Sequence, residues 1–410
     1  MSHNAHIAGV GMTPFGVHEN DTVGGLTARA VNDALHDAGI AVAEIDSVFF
    51  ANATQGALEG QLMVPGQVAL RRMGFERVPV FNVENACASG SSALSLAITS
   101  VRAGESEIAL AVGVEKMNVG DRMRSMTVFD GAYDVSDPAA LDRILRDLGG
   151  EVDLSAVGPR SRFMDIYAAM ARSHMAAYGS TQRQLAAVAA KNHRHSVANP
   201  LAHFRRDMSI EDVLAGRPLG FPLTVPMCSP LTDGAAAVIV CSEPVARRLA
   251  GDRSIEVLAC AVGTGTTRAP DDFSRHVTRL AGQRAFESAG VGPAEVDVAE
   301  VHDATAFGEV LVSELLGLVA MGEGGPAAEA GVTSLGGRIP INTSGGLESK
   351  GHPLAATGLG QVFELVTQLR GEAGARQVDG ARIALAENGG GFVAGEEAVA
   401  VVTILQNRRR

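Results

Sequence analysis

The sequence predicts an α/β chain of two similar halves, with a different stretch inserted in the first. Three observations carry this. First, residues 34–46 and 285–297 align without a gap, matching at Ala, Ala-Gly, Ala-Glu and Asp. Second, both segments read as an amphipathic helix that stops at an Ala-Gly C-cap, then a turn, then an apolar strand. Third, each half then repeats a tight turn, a helix rich in small residues and a strand. A chain of 410 residues is too long for one simple core, so two or more packed units are expected.

In chain order, Gly39 ends the first helix, and residues 48–50 and 78–81 are apolar strand segments. Asn85-Ala86-Cys87-Ala88-Ser89-Gly90 makes a turn into a helix over 91–101, and a strand follows over 108–113. From about 117 to 226 the chain is richer in Arg, His and Met, with weak strand signals and helical periodicity at 164–178 and 182–195. This is an insertion, not a third copy. The first half resumes with a turn at Thr232-Asp233-Gly234 and a buried strand to Val240. The second starts near Ser254, giving halves of 1–250 and 254–410. In it, a helix ends at Gly290, a strand covers 298–301, and Gly351-His352-Pro353 opens a helix over 356–369 before a strand at 382–386. Pro353 suits a first helical turn.

Composition excludes several classes. The net charge of −12 argues against a general nucleic-acid binder. No apolar run is long enough to cross a bilayer, and the first residues lack a signal-peptide pattern, so a cytoplasmic protein is expected. Cys87, Cys228, Cys241 and Cys260 lack metal-ligand spacing and read as free thiols. His193, His195 and His203 lack the usual zinc spacing. Arg408-Arg409-Arg410 reads as a solvated end.

Cys87 stands out as a candidate nucleophile. A thiol at a helix start faces free backbone N–H groups and the positive end of the helix dipole, and both favour the reactive thiolate. His352 occupies the matching helix start of the second half. If the halves pack about a pseudo-twofold axis, the two side chains face each other.

These motifs, with Ser229-Pro230-Leu231-Thr232-Asp233-Gly234, His302-Asp303-Ala304 and Gly345-Gly346-Leu347-Glu348-Ser349-Lys350-Gly351-His352-Pro353, resemble thiolases, in particular the branch similar to sterol-carrier-protein thiolases. The resemblance runs in order over nearly the whole chain. It implies a thiolase-like fold: two βαβαβ-type halves packed as five layers, α-β-α-β-α, with an inserted loop domain. It also implies acyl transfer from a coenzyme A thioester through an acyl-enzyme, with no bound metal or redox cofactor. By motif match, Cys87 is the nucleophile and His352 its base, while His302 and His352 polarise the thioester oxygen. Backbone N–H groups of Cys87 and of the Gly389-Gly390-Gly391 loop form a second oxyanion site. Asn388, Ser229, Ser344 and Gly345 join the candidate site. Asp303 is expected to anchor backbone or to orient His302.

The chain departs from the family where a second cysteine usually moves the α-proton. One family position falls in Glu387-Asn388-Gly389-Gly390-Gly391 and the other at Ala304; neither is cysteine here. Glu387 as a tuned base, a histidine with water, or loss of carbon–carbon chemistry are the three consequences. Ala355 replaces a usual glycine, and its methyl is expected to narrow the pocket. Arg160, Arg162, Lys191, Arg194, Arg205 and Arg206 are candidate contacts for coenzyme A phosphates. The resemblance further implies a homodimer or dimer of dimers, with acyl-CoA and CoA as small-molecule partners. Two rivals remain: an acyltransferase or lyase that needs a small zinc-ribbon/OB-fold subunit, and a non-catalytic acyl-CoA or lipid carrier.

Overall fold

The computed structural model describes residues 4–148, 161–269 and 271–408. The first half contains β1 (Ala5–Met12), α1 (Val23–Ala38), β2 (Ser47–Ala51), β3 (Val80–Val83), α2 (Ser89–Ala103), β4 (Ile108–Glu115) and, after the insertion, β5 (Gly234–Ser242). The insertion contributes α3 (Arg162–Tyr178) and α4 (Gln182–Val197). The second half contains β6 (Ile255–Thr264), α5 (Val277–Ala289), β7 (Val298–Glu300), α6 (Ala306–Leu315), α7 (Thr357–Arg370), β8 (Ile383–Gly390) and β9 (Val399–Gln406). Gly39 and Gly290 cap their helices in the same left-handed conformation, each with φ of 69°.

The nine strands run in the order β3-β2-β4-β5-β1-β6-β9-β8-β7. Each half has the same internal order, read outward from β1 or β6. They meet edge to edge through a short antiparallel contact, His6 with Glu256 and Ile7 with Ile255. In the first half β2 runs parallel to both β3 and β4. In the second half the equivalent of β3 is reduced to one parallel bridge, Ala299 with Ile341.

Alternation along the strands divides the core into layers. Leu110, Val112, Ala237 and Ile239 pack against α1 on the outer face of the first half. Ala259, Ala400 and Val402 pack against α5 on the outer face of the second. Between the two sheet halves lie α2 and α7, with Leu94, Ile98, Leu359 and Val362 meeting inward residues of both. The result is the α-β-α-β-α arrangement. The insertion is joined to the second half as well as the first: Tyr167, Leu185 and Ala189 share a core with Phe307, Val310 and Leu311 of α6. It thereby roofs the gap between the halves.

The two central helices approach each other at their starts. A Cβ on Gly358 would lie 1.8 Å from Ser91 Oγ, and one on Gly90 2.3 Å from the Ala355 carbonyl oxygen. Only glycine fits either position. Ala355 is fully buried in that central core, so its methyl does not narrow the cavity as the sequence suggested.

Candidate active site

Cys87 sits on a strained elbow between β3 and α2. Ala86, just before it, has φ of 48°, a left-handed conformation that costs a non-glycine residue roughly 1–2 kcal/mol. Hydrogen bonds hold it there: the Ala86 N–H donates to Glu84 Oε1 at 2.6 Å, and the Asn85 N–H to Ser89 Oγ at 2.9 Å. His352 reaches the same point from the start of α7, and His302 from the end of β7. Cys87 Sγ and ring nitrogens of both histidines lie within 4.8 Å of one another. The imidazoles meet edge to face, with centroids 5.1 Å apart.

Hydrogen bonding assigns the two rings opposite tautomers. The Thr357 hydroxyl donates to the Pro353 carbonyl at 3.1 Å, so its oxygen accepts from His352 Nδ1–H at 2.6 Å. His352 Nε2 therefore keeps a lone pair. Ser91 donates to Asn388 Oδ1 at 2.9 Å, which turns the Asn388 amide N–H toward His302 Nδ1 at 2.9 Å. His302 Nε2 therefore carries the proton. One imidazole is a base and the other a donor.

Burial also sets protonation. It holds the His302 pKa down to about 4 and that of His352 well below the usual histidine range, the latter aided by His302. The sequence suggested a thiolate at Cys87, but burial pushes the thiol up to about 12, helped by Glu115. Backbone N–H groups of Cys87 and Gly391 favour the thiolate, but burial outweighs them. The resting trio is neutral.

These residues line a cavity of about 1150 Å³. Phe129, Phe163 and Met164 provide apolar wall, while Arg122, Arg206 and Arg217 lie toward solvent. Ser229, Gly389 and Gly390 line it as expected. Several other candidates do not. Ser344 is buried, donating from Oγ to Glu300 Oε2 at 2.5 Å, and Gly345 packs on Ser196. Asn388 acts on His302, not on the void. Glu387 stands behind His302, accepting that residue's backbone N–H at 3.1 Å; burial raises its pKa to about 8. Its carboxyl does not line the cavity.

The phosphate candidates also separate. Lys191 is buried against Glu309 at 2.9 Å, Arg162 pairs with Asp142, and Arg194 faces Asp207 at 3.6 Å. Arg205 turns to the Val197 carbonyl, and Arg160 lies outside the described residues. Of the described members of that set, only Arg206 lines the cavity. The sequence reasoning passed over Arg122, Arg217, Tyr167, Thr357, Glu348 and Glu397. Of these, Thr357 and Glu348 lie in or beside the glycine-rich motif around His352, and a lone carboxylate among small residues was the available signal. Of the two roles expected for Asp303 it takes the backbone one: its carboxylate accepts the Leu347 N–H at 2.7 Å and fixes the turn before His352.

Comparison with known proteins decides the family. The thiolase N-terminal domain model matches residues 5–212, and a thiolase C-terminal domain-like model matches 259–406. The chain belongs to the thiolase family. By class this thiolase-family chain is an acyl-CoA acyltransferase. It is 38% identical over 390 residues to an acetyl-CoA acetyltransferase of Methanothermobacter thermautotrophicus, covering 94% of this chain and 96% of that protein. It is 35% identical to sterol carrier protein 2 of Oryctolagus cuniculus, covering 93% of this chain and 69% of that protein. It is 33% identical to the benzoylsuccinyl-CoA thiolase subunit BbsB of Thauera aromatica, covering 92% of each. Two solved structures share the fold. An Ltp2-ChsH2(DUF35) aldolase has a TM-score of 0.79 at 23% identity, covering 99% of this chain and 98% of that one. Human mitochondrial 3-ketoacyl-CoA thiolase has a TM-score of 0.72 at 17% identity, covering 99% of each.

Proposed function

We propose that this thiolase-family chain cleaves or forms 3-oxoacyl-CoA thioesters through an acyl-enzyme on Cys87. The observation that carries the reading is the convergence of a thiol, an imidazole lone pair and an imidazole N–H within 4.8 Å at one cavity end. His352 Nε2 takes the Cys87 proton as sulfur attacks the acyl carbon. His302 Nε2–H donates to oxygen as negative charge develops, and the new imidazolium of His352 adds a second donor. The N–H groups of Cys87 and Gly391 face the acyl-sulfur side. Starting from neutral partners costs little in a buried site, where a preformed ion pair would lose hydration.

Coenzyme A enters as substrate. Arg122, Arg206 and Arg217, exposed at the cavity, are suited to its phosphates. In the same reading 1–250 and 254–410 are the duplicated halves, with 117–226 inserted. The enzyme works as a homo-oligomer in cytoplasmic lipid metabolism.

The test is incubation with a panel of 3-oxoacyl-CoA esters and free CoA, followed by intact mass and product analysis. An acyl adduct absent from Cys87→Ala, with a shortened acyl-CoA released, is the expected result. An adduct on another residue, or turnover in Cys87→Ala, overturns it. A second reading, a chain that works with a separate subunit, is favoured by two relatives whose names denote a subunit and an assembly with a DUF35 protein. Activity that appears only with a small acyl-CoA-binding partner would establish it.

A further inference from the structure

The thiolase reading leaves one proton unassigned. Cleaving the bond between the α- and β-carbons leaves an electron pair on the α-carbon, which must be protonated. Forming the bond needs the reverse. His352 is occupied with the Cys87 proton, and Ala304 contributes only a methyl to the cavity wall. Among the described residues lining the cavity, one carboxyl is buried with both oxygens lacking a hydrogen-bond partner: Glu348. Its side chain is fully buried from bulk solvent. Glu397 also lines the cavity, but its Oε2 lies 3.4 Å from His276 Nε2. Glu387 is behind the wall.

Glu348 is held in place by its backbone, so its carboxyl is free. The turn Gly346–Lys350 wraps around Asp303, which accepts the Leu347 N–H at 2.7 Å and the Glu348 N–H at 3.4 Å. A Cβ on Gly346 would lie 2.1 Å from Asp303 Oδ2, so the wrap requires glycine there. The same turn ends two residues before His352, and Asp303 directly follows His302. Glu348 is thus tied to both catalytic histidines through backbone.

We propose that Glu348 is the acid/base that moves the α-proton. The proposal rests on the thiolase reading and supplies the step that reading lacks. In cleavage, Cys87 sulfur attacks the 3-oxo carbon, its proton having gone to His352. The carbon–carbon bond breaks, its electron pair passes to the α-carbon, and the Glu348 carboxylic acid protonates that carbon to release acetyl-CoA. Incoming CoA gives its thiol proton to the Glu348 carboxylate, and its sulfur displaces Cys87. Cys87 regains the proton from His352, and every group returns to its starting state. Burial and the neighbouring Asp303 and Glu309 carboxyls favour the protonated form at rest, against the opposing charge of Lys191.

The test separates the half-reactions in Glu348→Gln, which keeps size and shape. Adduct formation on Cys87 from an acyl thioester of an acidic aryl thiol, which departs as the thiolate, needs no proton from Glu348, whereas thiolysis by CoA and solvent-deuterium exchange at the α-carbon of acetyl-CoA do. Expected for Glu348→Gln are an adduct rate within threefold of the parent and thiolysis and exchange lower by about 100-fold or more. Glu348→Asp should recover part of that loss. Parental thiolysis in Glu348→Gln overturns the assignment while leaving the thiolase reading intact. Equal loss of adduct and thiolysis overturns it too, because the role would then be structural. A parent enzyme that forms no adduct and cleaves none of the panel would defeat the thiolase reading itself.

Discussion

In the proposed reaction the two halves use one scaffold for opposite roles. In the first, β3 ends at Val83 and α2 begins at Ser89, so the chain reaches Cys87 by a short, strained elbow. In the second, the matching strand shrinks to a bridge at Ile341, and α7 begins only at Thr357. The longer arm carries Asn342, Glu300-bound Ser344, Glu348, Lys350 and His352. A short arm presents one nucleophile and little else. A long arm presents His352 and also Glu348, the proposed base and acid, and is anchored by buried pairs such as Lys350 with Glu300 at 3.2 Å. The duplication supplied two helix starts, and arm length decided how many groups each delivers.

The sharpest way to break this comparison is to remove one reactive group from each arm. Cys87→Ala and His352→Ala should each lower acyl transfer by roughly 10⁴-fold or more, and the double variant should be little worse, because the pair acts as a unit. Single-turnover rates from acyl-CoA test this; additive losses would mean that the residues act independently. Next, His302→Ala should cost about 10²–10³-fold in kcat, the loss of one oxyanion donor. Asn388→Ala, which only frees His302 to change tautomer, should cost less, with KM nearly unchanged.

The shared centre of the halves gives a stability test. Gly358→Ala places a methyl into Ser91 and should destabilise by about 1–3 kcal/mol, as overpacking does, read as a lower midpoint in urea unfolding. Pairing it with Ser91→Gly should recover only part of that loss, because the new methyl still meets Asn388 Oδ1 at 2.6 Å.

The smallest expected effect concerns the resting proton. A thiol pKa raised to about 12 means the thiol dominates at neutral pH and the thiolate grows as pH rises. Iodoacetamide labelling of Cys87 should therefore climb about tenfold per pH unit between roughly pH 7 and 10 without levelling. A plateau below about pH 9 would mean that His352 already holds the proton in the free enzyme.

Much of this was legible in the chain. The Ala-Gly caps at Gly39 and Gly290 exposed the repeat because a left-handed helix end demands a small residue whatever lies around it. The helix starts at Cys87 and His352 could be found for the same local reason. Ser344, Gly345, Glu387 and Lys191 were misjudged because their motifs do not say which way a side chain turns. Ser344 and Lys191 turned inward to carboxylates on β7 and α6. The thiolate expectation at Cys87 was overturned because the helix start acts locally, whereas burial is imposed by the roof and the opposite half.

The sequence by itself determined the family and marked Cys87 and His352 as the proposed nucleophile and base, since each depends on residue type and spacing over a few turns of chain. Tertiary structure alone decided the tautomers, the protonation state of Cys87 and which cavity-lining carboxyl is left buried without a partner. The Ser91–Asn388 bond that sets His302 joins residues 297 positions apart, and only packing of the two halves brings such groups together.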